Sequence, residues 1–188
     1  LMTAAFVTAN AQGLVFQNPV LISGTAGQDG AVYRFPSVTS NIDALVTING
    51  RSSSMVTLES IDLPSMGFGR AFQPQVTCNG GTTPNGNYDW YMEFGIRFVR
   101  TNTINSVTVS SFDITALDID GNGDRLNEWV SFYNLSSHIF EANTQLTYNT
   151  VMELVSNAMT LVGKKFNGPV DNYVDIDTAA TRVRTTVK

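Results

Sequence analysis

Residues 88–100 read YDWYMEFGIRFVR, and this stretch decides the fold class. Trp90, Met92, Phe94, Ile96 and Phe98 share one side of a two-residue period, and Tyr91, Glu93, Gly95, Arg97 and Val99 share the other. Side chains along a strand point alternately to opposite faces, so the pattern predicts a half-buried antiparallel strand with Trp90, Phe94, Ile96 and Phe98 inward.

Working outward, the chain is punctuated by turn dipeptides. Asn-Gly occurs at Asn49-Gly50, Asn79-Gly80, Asn85-Gly86 and Asn167-Gly168, and Asp-Gly at Asp29-Gly30 and Asp120-Gly121. Both tolerate positive φ and suit tight hairpins. Between them lie runs rich in Val, Ile, Thr, Phe and Tyr, predicted as strands over 31–35, 43–49, 54–62, 73–78, 106–119, 127–135, 145–149 and 181–188, with a weaker one over 157–162. A short helical turn is expected near 151–157; no segment keeps a helical period over three turns. Short strands spaced by turns predict an all-β, antiparallel β-sandwich of jelly-roll type. Residues 21–188 read as a single sandwich domain, preceded by an apolar segment over 1–20.

Composition narrows the function. Of 188 residues, 14% are charged and the net charge is −5. Lys and Arg are scattered, so no basic stripe exists to neutralise phosphates and nucleic acid is not an expected partner. No apolar run reaches the roughly 18 residues of a membrane-spanning helix. Cys78 is the single cysteine, which excludes an intrachain disulfide. Residues 1–11, LMTAAFVTANA, end in the small-x-small pattern of a secretory signal, so a secreted, extracellular or cell-surface location is expected.

The phrases AVYRFPSV (31–38), DALVTI (43–48), AFQP (71–74), WYMEFGIRFV (90–99), LDIDGNG (117–123), EWVSF (128–132) and KKFNGPVDNYVDIDTAATRV (164–183) resemble a β-domain of secreted, adhesin-like surface proteins of Bacteroidota. The resemblance covers residue 30 to the C-terminus. It implies secretion and a surface or matrix location, and it brings no catalytic residues. Domains of this kind continue with a further pair of strands, which favours reading this chain as an incomplete sandwich.

Several constellations are candidates for chemistry. Asp118, Asp120, Asn122 and Asp124 alternate along a glycine-bearing loop, with Glu128 just beyond. Calcium takes six to eight oxygen ligands, and such a loop curls its oxygens inward, so Ca2+ is the candidate cofactor, the alternative being a plain Asp-Gly turn with solvated acids. The pattern departs from an EF-hand at its twelfth position, which is Trp129. Tyr91 shares its face with Glu93 and Arg97, an arrangement suited to polysaccharide. A glycosidase needs only two carboxylates facing a cleft, and Glu93 with Glu128 is the pair the sequence offers. His138 is the single histidine and no G-x-S-x-G is present, so nucleophilic catalysis is not expected, and zinc lacks a His or Cys cluster.

The reading these features favour is an extracellular structural or adhesive subunit, not an enzyme, whose partners are copies of itself. Leu1, Met2, Phe6, Val7, Leu14, Val15 and Phe16 form an apolar segment for donation to a neighbour. Val183 and Val187 mark 181–188 as the edge strand expected to receive it. A carbohydrate-binding module is the alternative.

Overall fold

The computed structural model describes residues 13–63, 69–79, 89–109, 111–155, 159–173 and 181–188. Every strand pairing among them is antiparallel. The expected all-β class is therefore observed, and the one helical turn among the described residues is a 3-10 turn at Thr181–Val183. The chain divides into two compact units, Leu1–Val109 and Ser110–Lys188. The long strand expected over 106–119 is where they part: only Ile114–Ala116 of it forms a named strand. The surrounding Ser and Thr keep no sustained apolar face.

The first unit holds β1 (Val20–Ser23), β2 (Val32–Thr39), β3 (Ile42–Arg51), β4 (Val56–Ser60), β5 (Gln75–Cys78) and β6 (Met92–Arg100). Strands β1-β2-β3-β6 form one sheet and β4-β5 a second. On β3, Ala44, Val46 and Ile48 face inward opposite Phe98, Ile96 and Phe94 of β6. Ala44 and Val46 also face Phe35 and Tyr33 of β2. Phe72, ahead of β5, closes this layer with rings of Phe16, Phe35 and Phe94 at 5.8, 5.8 and 5.3 Å. Edge-to-face pairs of this kind add to simple burial. The result is a sandwich-like all-β unit with a cluster of four phenylalanine rings against the larger sheet.

The decisive stretch therefore has the predicted phase as far as Phe94 and at Phe98, with two corrections, the first being Val99, which is fully buried although it belongs to the opposite face. Phe98 is buried, Trp90 and Phe94 are half-buried, but Ile96 is 41% exposed. Its cross-strand partner Val46 is fully buried. Val46 lies between two strands, whereas β6 is the outer strand of its sheet and covers Ile96 from one side only.

Asn49-Gly50 is also not a hairpin turn. Both residues stand inside β3, where the register with β6 shifts between Ile48 and Gly50. The extra residue of this bulge is Asn49, and its side-chain amide donates to Glu93 Oε1 at 2.8 Å.

The second unit holds β7 (Ile114–Ala116), β8 (Trp129–Tyr133), β9 (His138–Phe140), β10 (Thr147–Val155), β11 (Met159–Asn167) and β12 (Thr185–Val187). Its sheets are ordered β7-β12-β9 and β10-β11-β8. They meet through rings: Phe140 lies 5.7 Å from Phe166 and 5.6 Å from Tyr148. The helical turn expected near 151–157 is absent as far as Val155, because β10 runs straight through it. Val151 and Val155 are β-branched, and β11 pairs with β10 residue for residue.

Candidate functional site

The acidic loop is built around two glycines. A Cβ on Gly121 would overlap the Val170 carbonyl, and one on Gly168 would overlap the Ile119 carbonyl. Their absence lets 119–123 lie directly against 168–173, with Gly121 N–H donating to Asp171 O at 3.0 Å and Gly123 N–H to Val170 O at 2.8 Å.

Within this frame Asp120 is buried, and its Oδ2 accepts the Tyr173 N–H at 2.6 Å. Asn122 Oδ1 accepts from the N–H groups of Asp124, Arg125 and Leu126 at 3.0, 3.1 and 3.1 Å. Asp118 adopts a left-handed φ of 61°. Asp124 is exposed beside Arg125, and Glu128 is exposed at the start of the strand side of the loop. Part of the oxygen set expected for calcium is thus engaged by backbone N–H groups. Among the described residues no three His, Cys, Asp or Glu side chains gather as a metal-holding group.

Tyr91, Glu93 and Arg97 alternate along the outer strand β6 and its approach. Tyr91 and Arg97 are exposed, while Glu93 is half-buried and holds the Asn49 amide. They line an open strand face and do not converge. Glu93 and Glu128 belong to different units. His138 sits half-buried among rings, 5.4 Å from Phe140, 4.6 Å from Tyr148 and 5.6 Å from Phe166. Cys78 ends β5 as a half-buried free thiol.

The assembly residues divide. Leu1, Met2, Phe6 and Val7 lie outside the described residues. Leu14, Val15 and Phe16 pack on their own unit: Val15 N–H donates to Val38 O, Phe16 N–H to Arg70 O, both at 2.9 Å, and the Phe16 ring is 5.3 Å from Phe35. They are not available for donation while the first unit is intact. The expected receiving edge is also corrected. Strand β12 is central, with Val187 paired to Ile114 on one side and His138 on the other. Val183 and Val187 are buried. An edge must have one open side, and β12 has none.

Sequence reasoning missed the most developed polar site. Asp43 is fully buried. Its Oδ2 meets Arg34 Nη1 at 2.7 Å and the Asn102 N–H at 2.9 Å, and its Oδ1 accepts the Ser37 N–H at 2.8 Å. Burial alone would raise this carboxyl. The Ser37 and Asn102 N–H groups and the Arg34 guanidinium outweigh it and hold the pKa below the ordinary aspartate value. The site pins the β2 bulge and the loop after β6 to the central strand. Its signal was available: Asp43 opens DALVTI, and an acid in a run with both faces apolar must be paired. Asp62 is the contrasting case. Burial pushes its carboxyl up, only partly offset by the Gln73 N–H, and its Oδ1 has no hydrogen-bond partner among the described residues.

No family model, curated protein or solved structure matches the chain. Among the described residues, no helix is long and apolar enough to cross a membrane.

Proposed function

We propose that the protein is an exported structural or adhesive subunit that assembles with copies of itself by strand addition. The observation that carries this reading is the outer side of β10. This nine-residue strand has β11 on one side and no strand on the other among the described residues. Protein edges are ordinarily blunted by Lys, Pro or a bulge. The β10 sequence TYNTVMELV contains neither Lys, Arg nor Pro, and its pairing with β11 runs without a register shift. The same ribbon leaves Met152 75% and Val162 57% exposed, directly opposite each other.

The proposed occupant is the apolar segment of a neighbouring copy that bears Leu1, Met2, Phe6 and Val7. Residues 1–11 carry no charge and no proline, so they add backbone hydrogen bonds to the edge without burying an ion. Covering Met152, on the edge strand itself, adds up to about 1.5–3 kcal/mol. One donor and one acceptor per copy make a head-to-tail contact, which grows as a filament.

Sedimentation velocity and negative-stain microscopy test this. The full chain is expected to form filaments, whereas Met152→Lys, an exposed change that spares both cores, and deletion of residues 1–12 each yield monomers. A full chain that stays monomeric at high concentration would sink the proposal, as would filaments that survive the deletion.

A further inference from the structure

A second site lies at one end of the first unit, beside the Asp29-Gly30 turn. The loop joining β1 to β2 and the turn joining β3 to β4 border an open cleft of about 370 Å³ lined by Gln28, Asp29, Arg51, Ser53, Ser54 and Thr57. That volume is within the usual range for small-ligand clefts, roughly 300–1,000 Å³.

The walls are held before any ligand arrives. Arg51, whose side chain is only 10% exposed, uses each of its three nitrogens as a brace: Nε to Asp29 Oδ1 at 2.7 Å, Nη1 to Val56 O at 2.8 Å and Nη2 to Gly27 O at 2.7 Å. Tyr33 accepts the Gly27 N–H on its hydroxyl at 2.8 Å. Two successive turns, Gln28 N–H to Thr25 O and Ala31 N–H to Gln28 O, both at 3.0 Å, stiffen the first loop. Val56 N–H to Ser53 O at 3.0 Å closes the second.

What the lining offers a ligand is a mixed set of hydrogen-bond donors and acceptors. The Gln28 amide and the Ser54 hydroxyl make no side-chain hydrogen bond to another described residue, and the second carboxylate oxygen of Asp29 is likewise open. Ser53 accepts from Met55 N–H through its oxygen at 3.2 Å, which leaves its proton to donate. The two charges in the cleft, Arg51 and Asp29, neutralise each other. An anionic ligand meets a guanidinium already braced on every nitrogen, and a cation meets a carboxylate whose charge is already offset by Arg51 through Oδ1. A ligand rich in hydroxyls, each both donor and acceptor, matches the set.

We infer that this cleft is a binding site for a neutral saccharide, held by hydrogen bonds to Gln28, Asp29, Ser53 and Ser54. No aromatic side chain lines it, so the site takes sugar edges and binds weakly.

The test is amide chemical-shift titration of the full chain with cellotetraose, maltotetraose and mannotetraose as neutral probes and tetragalacturonic acid as their anionic counterpart. At least one neutral probe is expected to shift the amides of Gln28, Asp29, Ser53 and Ser54. The double variant Gln28→Ala, Ser54→Ala, both exposed positions, is expected to keep the melting temperature and weaken that binding about tenfold. Silence of those amides to all three neutral probes overturns the inference. So does binding that the double variant leaves unchanged, or tighter binding of the anionic probe.

Discussion

The two units solve the same problem with different means. In the first, buried apolar side chains stack in layers across long strands: Phe16, Tyr33, Phe35, Ala44, Val46, Ile48, Phe98 and others, twelve among the described residues. In the second the corresponding set is five: Ile119, Leu146, Phe166, Val183 and Val187. Three of its strands have three residues each. Its order comes from this smaller core, with the Phe140, Tyr148 and Phe166 rings, together with close backbone approach, in which 119–123 is hydrogen-bonded along 168–173. A thick apolar core tolerates the loss of one contact. A unit held by glycine-permitted backbone contact depends on a few positions at which any side chain is too large.

The largest expected effect breaks the comparison most directly. Phe166→Ala and Phe35→Ala both remove a fully buried ring, at a cost of about 4 kcal/mol each. The second unit has less to lose, so Phe166→Ala is expected to unfold it at room temperature, while Phe35→Ala weakens the first unit without unfolding it. Hydrogen exchange at the β3 and β11 amides reports the units separately. Loss of protection in both units together, in either variant, would show that the contrast is not energetic.

Next comes the polar knot of the first unit. Asp43→Ala leaves Arg34 facing a buried gap and is expected to cost about 3 kcal/mol in urea denaturation. The pH dependence follows from the lowered pKa of Asp43. The unfolded chain binds the proton more tightly than the folded one, so the contribution is full above the unfolded value of about 3.9 and is lost as pH falls through the lower folded value. The acid limb of a pH–stability curve is expected to flatten in the variant. An unchanged limb would assign it to other carboxylates.

The smallest effect sharpens the account of the second unit. Gly168→Ala places a methyl against the Ile119 carbonyl, and the two loops must part at a cost of about 2 kcal/mol. Gly13→Ala, with open space around the new methyl, is the control and should leave the melting temperature in place. A Gly168→Ala protein as stable as the parent would mean that the loop contact contributes little.

What the sequence by itself determined is local. The two-residue period of 90–98 determined strand, phase and the inward course of Phe94 and Phe98. The dense turn dipeptides and β-branched runs determined the all-β class. Both are properties of a residue and its immediate neighbours. The tertiary structure decided which strands lie side by side, and that choice reversed several expectations. Thr185–Val187 alternates as an edge strand would, yet it lies between β7 and β9. Ile96 has the phase of a core residue, yet the outer position of β6 exposes it. Asn49-Gly50 has the composition of a hairpin turn, yet β6 on the far side makes it a bulge. The sites follow the same division. Asp118 to Asp124 stand close in sequence and were legible as a motif, while Arg51 with Asp29 and Asp43 with Asn102 are joined only across loops and strands. Alternation specifies which face a side chain takes. Its neighbours on that face come from parts of the chain tens of residues away, and only folding brings them there.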